Sequence, residues 1–110
     1  MLSLFYFSLN HEKIYCRHNL HDEWSKKVRR RDKYKCQICG KKSKWNHAHH
    51  KDGYDWCFSG RYIISNGVTL CQGTGKNGKK KGCHNLFHDK YGRSKNTKYQ
   101  YEEFRRDNTN

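Results

Sequence analysis

A small α+β domain is the fold class this chain implies, and two periodic patterns and one deficit carry the inference. Leu20, Trp24 and Val28 recur at four-residue spacing, the mark of a helix with one apolar face. Aromatic and β-branched residues gather from Trp45 to His50 and again from Tyr62 to Leu70, which suggests two short strands. The deficit is apolar material: of 110 residues only 33% are hydrophobic, and the mean hydropathy is −1.31. A single domain of this length is marginal on burial alone and commonly needs a covalent or metal clip. The chain carries six cysteines from which such a clip could be made.

The elements follow in order. Residues 1–19 match no assignable pattern. Their one apolar run, Leu2 to Leu9, contains two serines and falls far short of the about 20 residues a membrane-spanning helix needs. The first helix is basic, with Lys26, Lys27 and Arg29 to Arg31 around its apolar positions, and Asn19 or Asp22 is the candidate cap. It leads directly into Tyr34-Lys35-Cys36. Asp52-Gly53 and Ser59-Gly60 mark turns between the strands. Between Cys71 and Cys83 lies a glycine- and lysine-rich loop, and after Cys83 a short helix places His84 and His88 on one face. Thr97 followed by Gln100 is a capping box opening a last helix, with Tyr101 and Phe104 as its apolar side.

Cys36-Gln37-Ile38-Cys39 has the spacing of a metal knuckle, and Cys71 with Cys83 would complete a four-thiolate structural zinc site. Eleven residues separate the second pair. Closure entropy grows slowly with loop length, so the insertion weakens the site without forbidding it. Cys57 is the substitute ligand, and a secreted disulfide framework is the competing reading. The N-terminus has neither a charged leader region nor a small-residue cleavage site, which favours zinc and a cytoplasmic location in the host cell. The formal charge of +14 favours a polyanionic partner, with a soluble basic protein such as a ribosomal component as the bland alternative, while the shortness of the one apolar run argues against membrane insertion.

Taken in order, Cys36-x-x-Cys39, Ala48-His49-His50, Asn66-Gly67-Val68-Thr69-Leu70-Cys71 and Cys83-His84-Asn85-Leu86-Phe87-His88 resemble the HNH nuclease family over roughly residues 22–91. The resemblance implies a ββα-metal motif braced by the zinc knuckle pair, with flanking N- and C-terminal helices. It divides the chain into an unassigned segment (1–19), an HNH nuclease domain (20–93) and a C-terminal helical tail (94–110). The family usually sets its last two cysteines two residues apart, and this chain departs from that.

The resemblance makes His49 and His88 ligands of one catalytic divalent ion, Mg²⁺, Mn²⁺, Ni²⁺ or Zn²⁺, and His50 the general base. His84 either joins the same ion or faces solvent or a phosphate. Asn66 would fix the loop and hold His50 through its backbone carbonyl. His47 is read as a surface histidine, and either Arg61 or Arg93 as the phosphate-gripping arginine. The implied activity is hydrolysis of DNA phosphodiesters by a phage- or mobile-element-encoded enzyme. Lys26, Lys27, Arg29 and Arg30 on the first helix, and Lys76, Lys79, Lys80 and Lys81 in the loop, are the DNA-binding candidates. A second copy of the chain and phage packaging proteins are the further partners considered. Two alternatives stand: a non-catalytic zinc-ribbon module that only binds nucleic acid, and a nuclease component of a phage packaging machine.

Overall fold

The computed structural model describes residues 19–73 and 80–109, which form a small α+β fold of three helices and one two-stranded antiparallel sheet. The apolar run at Leu2–Leu9, Cys16, Lys76 and Lys79 lie outside the described residues.

Helix α1 occupies residues 19–31. Trp24 and Val28 are buried as their spacing predicts, whereas Leu20 is exposed. Asn19 and Asp22 are both helical residues and not caps, a correction to the expected start. The chain leaves α1 through Lys33 and Tyr34, both at positive φ (55° and 59°). The buried amide of Asn46 steadies this exit and the first cysteine knuckle together, donating to the carbonyls of Tyr34 (2.9 Å) and Lys41 (2.8 Å).

The strands are shorter than the sequence suggested: β1 is His47–His50 and β2 is Gly67–Leu70. Tyr62 to Asn66 is not strand; a 3₁₀ turn at Ile64–Asn66 leads into β2. Two helix side chains claim the carbonyls there. Trp24 Nε1 donates to Ile63 O at 2.8 Å, and Arg31 Nη1 donates to Ile64 O at 2.9 Å. Those carbonyls are thereby bonded without a ladder partner. The register pairs His49 with Val68 and His50 with Gly67. A Cβ on Gly67 would sit 2.4 Å from Val28 Cγ2 and 2.7 Å from Trp24 Cζ2, so only glycine lets α1 lie this close to the sheet.

Helix α2 (Cys83–Tyr91) and helix α3 (Lys98–Asn108) complete the fold. Thr97 caps α3 as expected: its Oγ1 accepts from Gln100 N, while Gln100 Oε1 accepts from Thr97 N. The main apolar cluster joins Val68 and Leu70 of β2, Phe87 of α2, and Tyr101 and Phe104 of α3 to Cys36 and Cys71. Two of these seven core members are thus cysteines of the candidate metal site. Among the described residues no helix is long and apolar enough to cross a membrane.

Candidate functional site

The structure gathers two separate groups of metal-ligating side chains, and α2 carries members of both. The first is Cys36, Cys39, Cys71 and Cys83, whose sulfurs all lie within 4.8 Å of one another. Cys39 Sγ stands 3.6 Å from Cys71 Sγ. Tetrahedral thiolates bonded at ~2.3 Å would stand about 3.8 Å apart, so the group has the size of a zinc site. The fifth described thiol, Cys57, lies outside it.

Local structure brings the knuckles together. Gly40, at φ +79°, turns the chain so that its N–H reaches Cys36 O and Cys36 N–H reaches Lys41 O. Across the site, Cys83 N–H donates to Cys71 Sγ at 3.2 Å, and His84 N–H donates to Cys71 O. Gly82 lets the start of α2 approach this closely, because a Cβ there would fall 2.4 Å from Cys71 O. A hydrogen bond from the Cys83 thiol holds Cys36 down to about 4, and the same contact pushes Cys83 up. Burial pushes Cys71 up as well. Four crowded thiols cannot all ionise unaided, and a dication among them removes that conflict.

The second group is His49, His84 and His88, again with ligand nitrogens within 4.8 Å of one another. His49 projects from β1, and the other two stand one turn apart on α2. Their nitrogens fit a cation. His88 Nδ1–H donates to Gly92 O at 2.8 Å, which leaves Nε2 with its lone pair. That Nε2 is 3.0 Å from His84 Nε2. His84 Nδ1 faces the Gln72 side-chain nitrogen at 3.1 Å; turning that amide over would let it accept from Nδ1–H and free Nε2 for a metal. His49 Nε2 is fully buried and has no hydrogen-bond partner among the described residues. Such an atom is costly to bury unless something binds it. Burial, reinforced by the charges of His84 and His88, holds His49 well below the usual imidazole range. Burial with the charges of His88, His47 and Arg93 takes His84 down to about 4. Both are therefore neutral near pH 7, as ligands must be.

His50 is set apart from this trio. Its Nε2 lies 2.8 Å from Arg61 O, and since a carbonyl can only accept, Nε2 carries the proton and Nδ1 the lone pair. Trp24 stacks on the ring at 3.8 Å between centroids and 11° between planes. Desolvation lowers the His50 pKa, with smaller contributions from the charges of His21 and Arg61, while the Arg61 carbonyl bond opposes them. A cleft of about 310 Å³ is lined by His49, His50, His84, His88, Tyr54 and Arg93 among others.

Asn66 keeps only half of the role the sequence suggested. Its side chain ties the loop, accepting from Asp52 N and donating to Asp52 O and Gly60 O. Its backbone carbonyl accepts from Lys51 N, not from His50; Arg61 O takes that place. Of the two arginines considered, Arg93 lines the cleft, whereas Arg61 Nε donates to Tyr54 O. His47 is exposed and outside the trio. Among the DNA-binding candidates, Lys26, Lys27 and Arg30 are exposed together on α1, Arg29 is held by Ser25 O, and Lys81 pairs with Asp89 at 2.6 Å. Trp24 and the Arg61 carbonyl were not foreseen. Trp24 was visible only as an apolar helix position, and a backbone carbonyl has no sequence signal.

The site and fold together define a small α+β protein with a four-cysteine group and a three-histidine group, each able to hold a metal ion. Compared with family models, curated proteins and solved structures, the chain matches none.

Proposed function

We propose that the chain is a metal-dependent DNA endonuclease of the HNH type, its two strands and α2 forming the ββα-metal unit. One observation carries the reading: three convergent histidines, of which burial holds His49 and His84 neutral, share a cleft with a fourth whose tautomer is fixed by a backbone carbonyl. A module that only bound nucleic acid would need the cysteines and the basic surface, but no such division of labour among imidazoles.

In this mechanism His49, His84 and His88 would hold a divalent cation, which would supply electrostatic stabilisation of the negative charge that develops during phosphodiester hydrolysis. His50 takes the proton of the attacking water on Nδ1, and the positive charge it gains is shared with Arg61 O through Nε2–H. Trp24 keeps the imidazole plane fixed while this happens. Arg93, which lines the cleft, binds the phosphate in this mechanism, and as an arginine it can do so through two parallel donors. Lys26, Lys27 and Arg30 extend the positive surface along α1 for the duplex backbone. A structural zinc among the four cysteines takes no part in the reaction; it fixes the start of α2 and hence His84 and His88. The test is conversion of supercoiled plasmid to nicked or linear form across Mg²⁺, Mn²⁺, Ni²⁺ and Zn²⁺. Cleavage with at least one of these ions is expected, and inertness with all four would overturn the reading.

A further inference from the structure

Beside the histidine cleft the chain displays aromatic surface that the cleavage mechanism does not use. Phe58 is 69% exposed and Tyr54 40%, in a fold short of apolar residues for its own core. The Arg61 guanidinium lies 4.1 Å from the Tyr54 ring centroid and 4.4 Å from that of Phe58, so the three side chains make a layered stack. Arg61 Nε is fixed on Tyr54 O, and among the described residues no acceptor takes its terminal nitrogens. Tyr54 is part of the cleft wall, and its ring is 5.5 Å from that of His50.

The loop beneath is tied down at several points. Trp56 Nε1 donates to Asn96 O, Asp55 accepts from Lys95 N, Asp52 accepts from Lys98 N at the start of α3, and Asn66 bonds Gly60 O. The stack is therefore held in shape before anything binds, which reduces the ordering cost of a ligand.

We infer that Tyr54, Arg61 and Phe58 form a stacking platform for an unpaired DNA base next to the phosphate in the cleft, so that the preferred substrate carries single-stranded or locally opened DNA. The placing of DNA in the cleft rests on the nuclease reading above. The chemistry favours this occupant. A base offers a π-face to an exposed ring, its phosphate offers a partner to a cationic guanidinium, and the chain as a whole is strongly basic. Paired bases in a duplex hide their faces from such a platform.

The test is equilibrium binding, by fluorescence anisotropy without added divalent ion and at fixed salt, of one oligonucleotide as a single strand and as a duplex. Phe58→Ala should weaken single-strand binding by roughly 5- to 150-fold, the span of one lost base stack, while duplex binding changes less than about twofold. Phe58→Trp should keep the single-strand affinity, and Phe58→Leu, which retains bulk but not the π-face, should lose it as alanine does. Equal losses on both DNA forms, no loss on either, or a wild-type chain that prefers duplex would overturn the platform. The readout is independent of cleavage. A chain that binds the strand selectively yet never cuts loses only the nuclease reading, and one that cuts plasmid without strand-selective loss in Phe58→Ala loses only the platform.

Discussion

Removing a zinc held by the four cysteines should unfold the whole domain, because its ligands are part of the core. Cys36 and Cys71 sit inside the main core, and Cys83 starts α2, which also carries Phe87 into that core. Structural zinc contributes on the order of 10–16 kcal/mol to the folding of small domains near pH 7. The net stability of a whole domain is only about 5–15 kcal/mol, so the metal alone decides between folded and unfolded. The eleven-residue separation of Cys71 from Cys83 takes away little of this. Relative to a two-residue spacing its closure entropy costs about 1.5 kcal/mol, roughly a tenfold loss in metal affinity. Circular dichroism during titration with a strong chelator should show one cooperative loss of helix, reversed by added Zn²⁺. Metal analysis after washing with a weak chelator should find one zinc per chain. Cys36→Ser and Cys83→Ser should be unfolded or insoluble, while Cys57→Ser, outside the cluster, should keep both fold and zinc. A chelator-treated chain that keeps its melting temperature would show that the cysteine site does not hold the fold together.

Three other outcomes are expected. His88→Ala should remain folded with its zinc but lose binding of a second ion, read by calorimetric titration with Ni²⁺ or Mn²⁺; collapse of the fold instead would mean that the two groups are not separate sites. Gly67→Ala should cost about 1–3 kcal/mol of stability in thermal melts, because its Cβ overlaps Val28 and Trp24; an unchanged melting temperature would show that α1 can move away freely. Stability without the second ion should fall as pH drops from about 6.5 toward 4, since His49 and His84 resist protonation in the fold but take protons readily once unfolded. Their lowered folded values make this contribution present above the unfolded pKa and lost below it; a flat acid limb down to pH 4 would contradict the burial of His49 and His84.

Periodic and covalently spaced features were legible in the sequence. Trp24 and Val28 of the three apolar α1 positions, the Thr97–Gln100 cap and the short helix after Cys83 follow from local rules and are found in the structure, whereas Leu20 is exposed. The four cysteines were legible because thiols at knuckle spacing have few other uses, and they do converge across a loop of unusual length. The second strand was overextended because β-branched Ile63 and Ile64 carry strand propensity in themselves, whereas bonds from Trp24 and Arg31, more than thirty residues away, hold that segment in turns. His50 shows the same limit. Its place in the pair was evident, but its partner is the carbonyl of Arg61, and long-range backbone contacts leave no trace in residue type. The Tyr54, Arg61 and Phe58 stack was invisible for a related reason: Arg61 stood out only as a candidate for the phosphate, and the three loop residues become one surface only when the loop folds.

In the proposed mechanism His50 is a base acting beside a three-histidine metal site, and measuring cutting and binding together on one variant separates a base from a residue that only binds DNA. Plasmid nicking and duplex affinity should be measured for wild type and His50→Ala, both zinc-loaded, in the most effective of the divalent ions. Cleavage should fall by about 10²–10⁴-fold, with melting temperature, zinc content and DNA affinity nearly unchanged. Nicking by His50→Ala at the wild-type rate would contradict this role for His50.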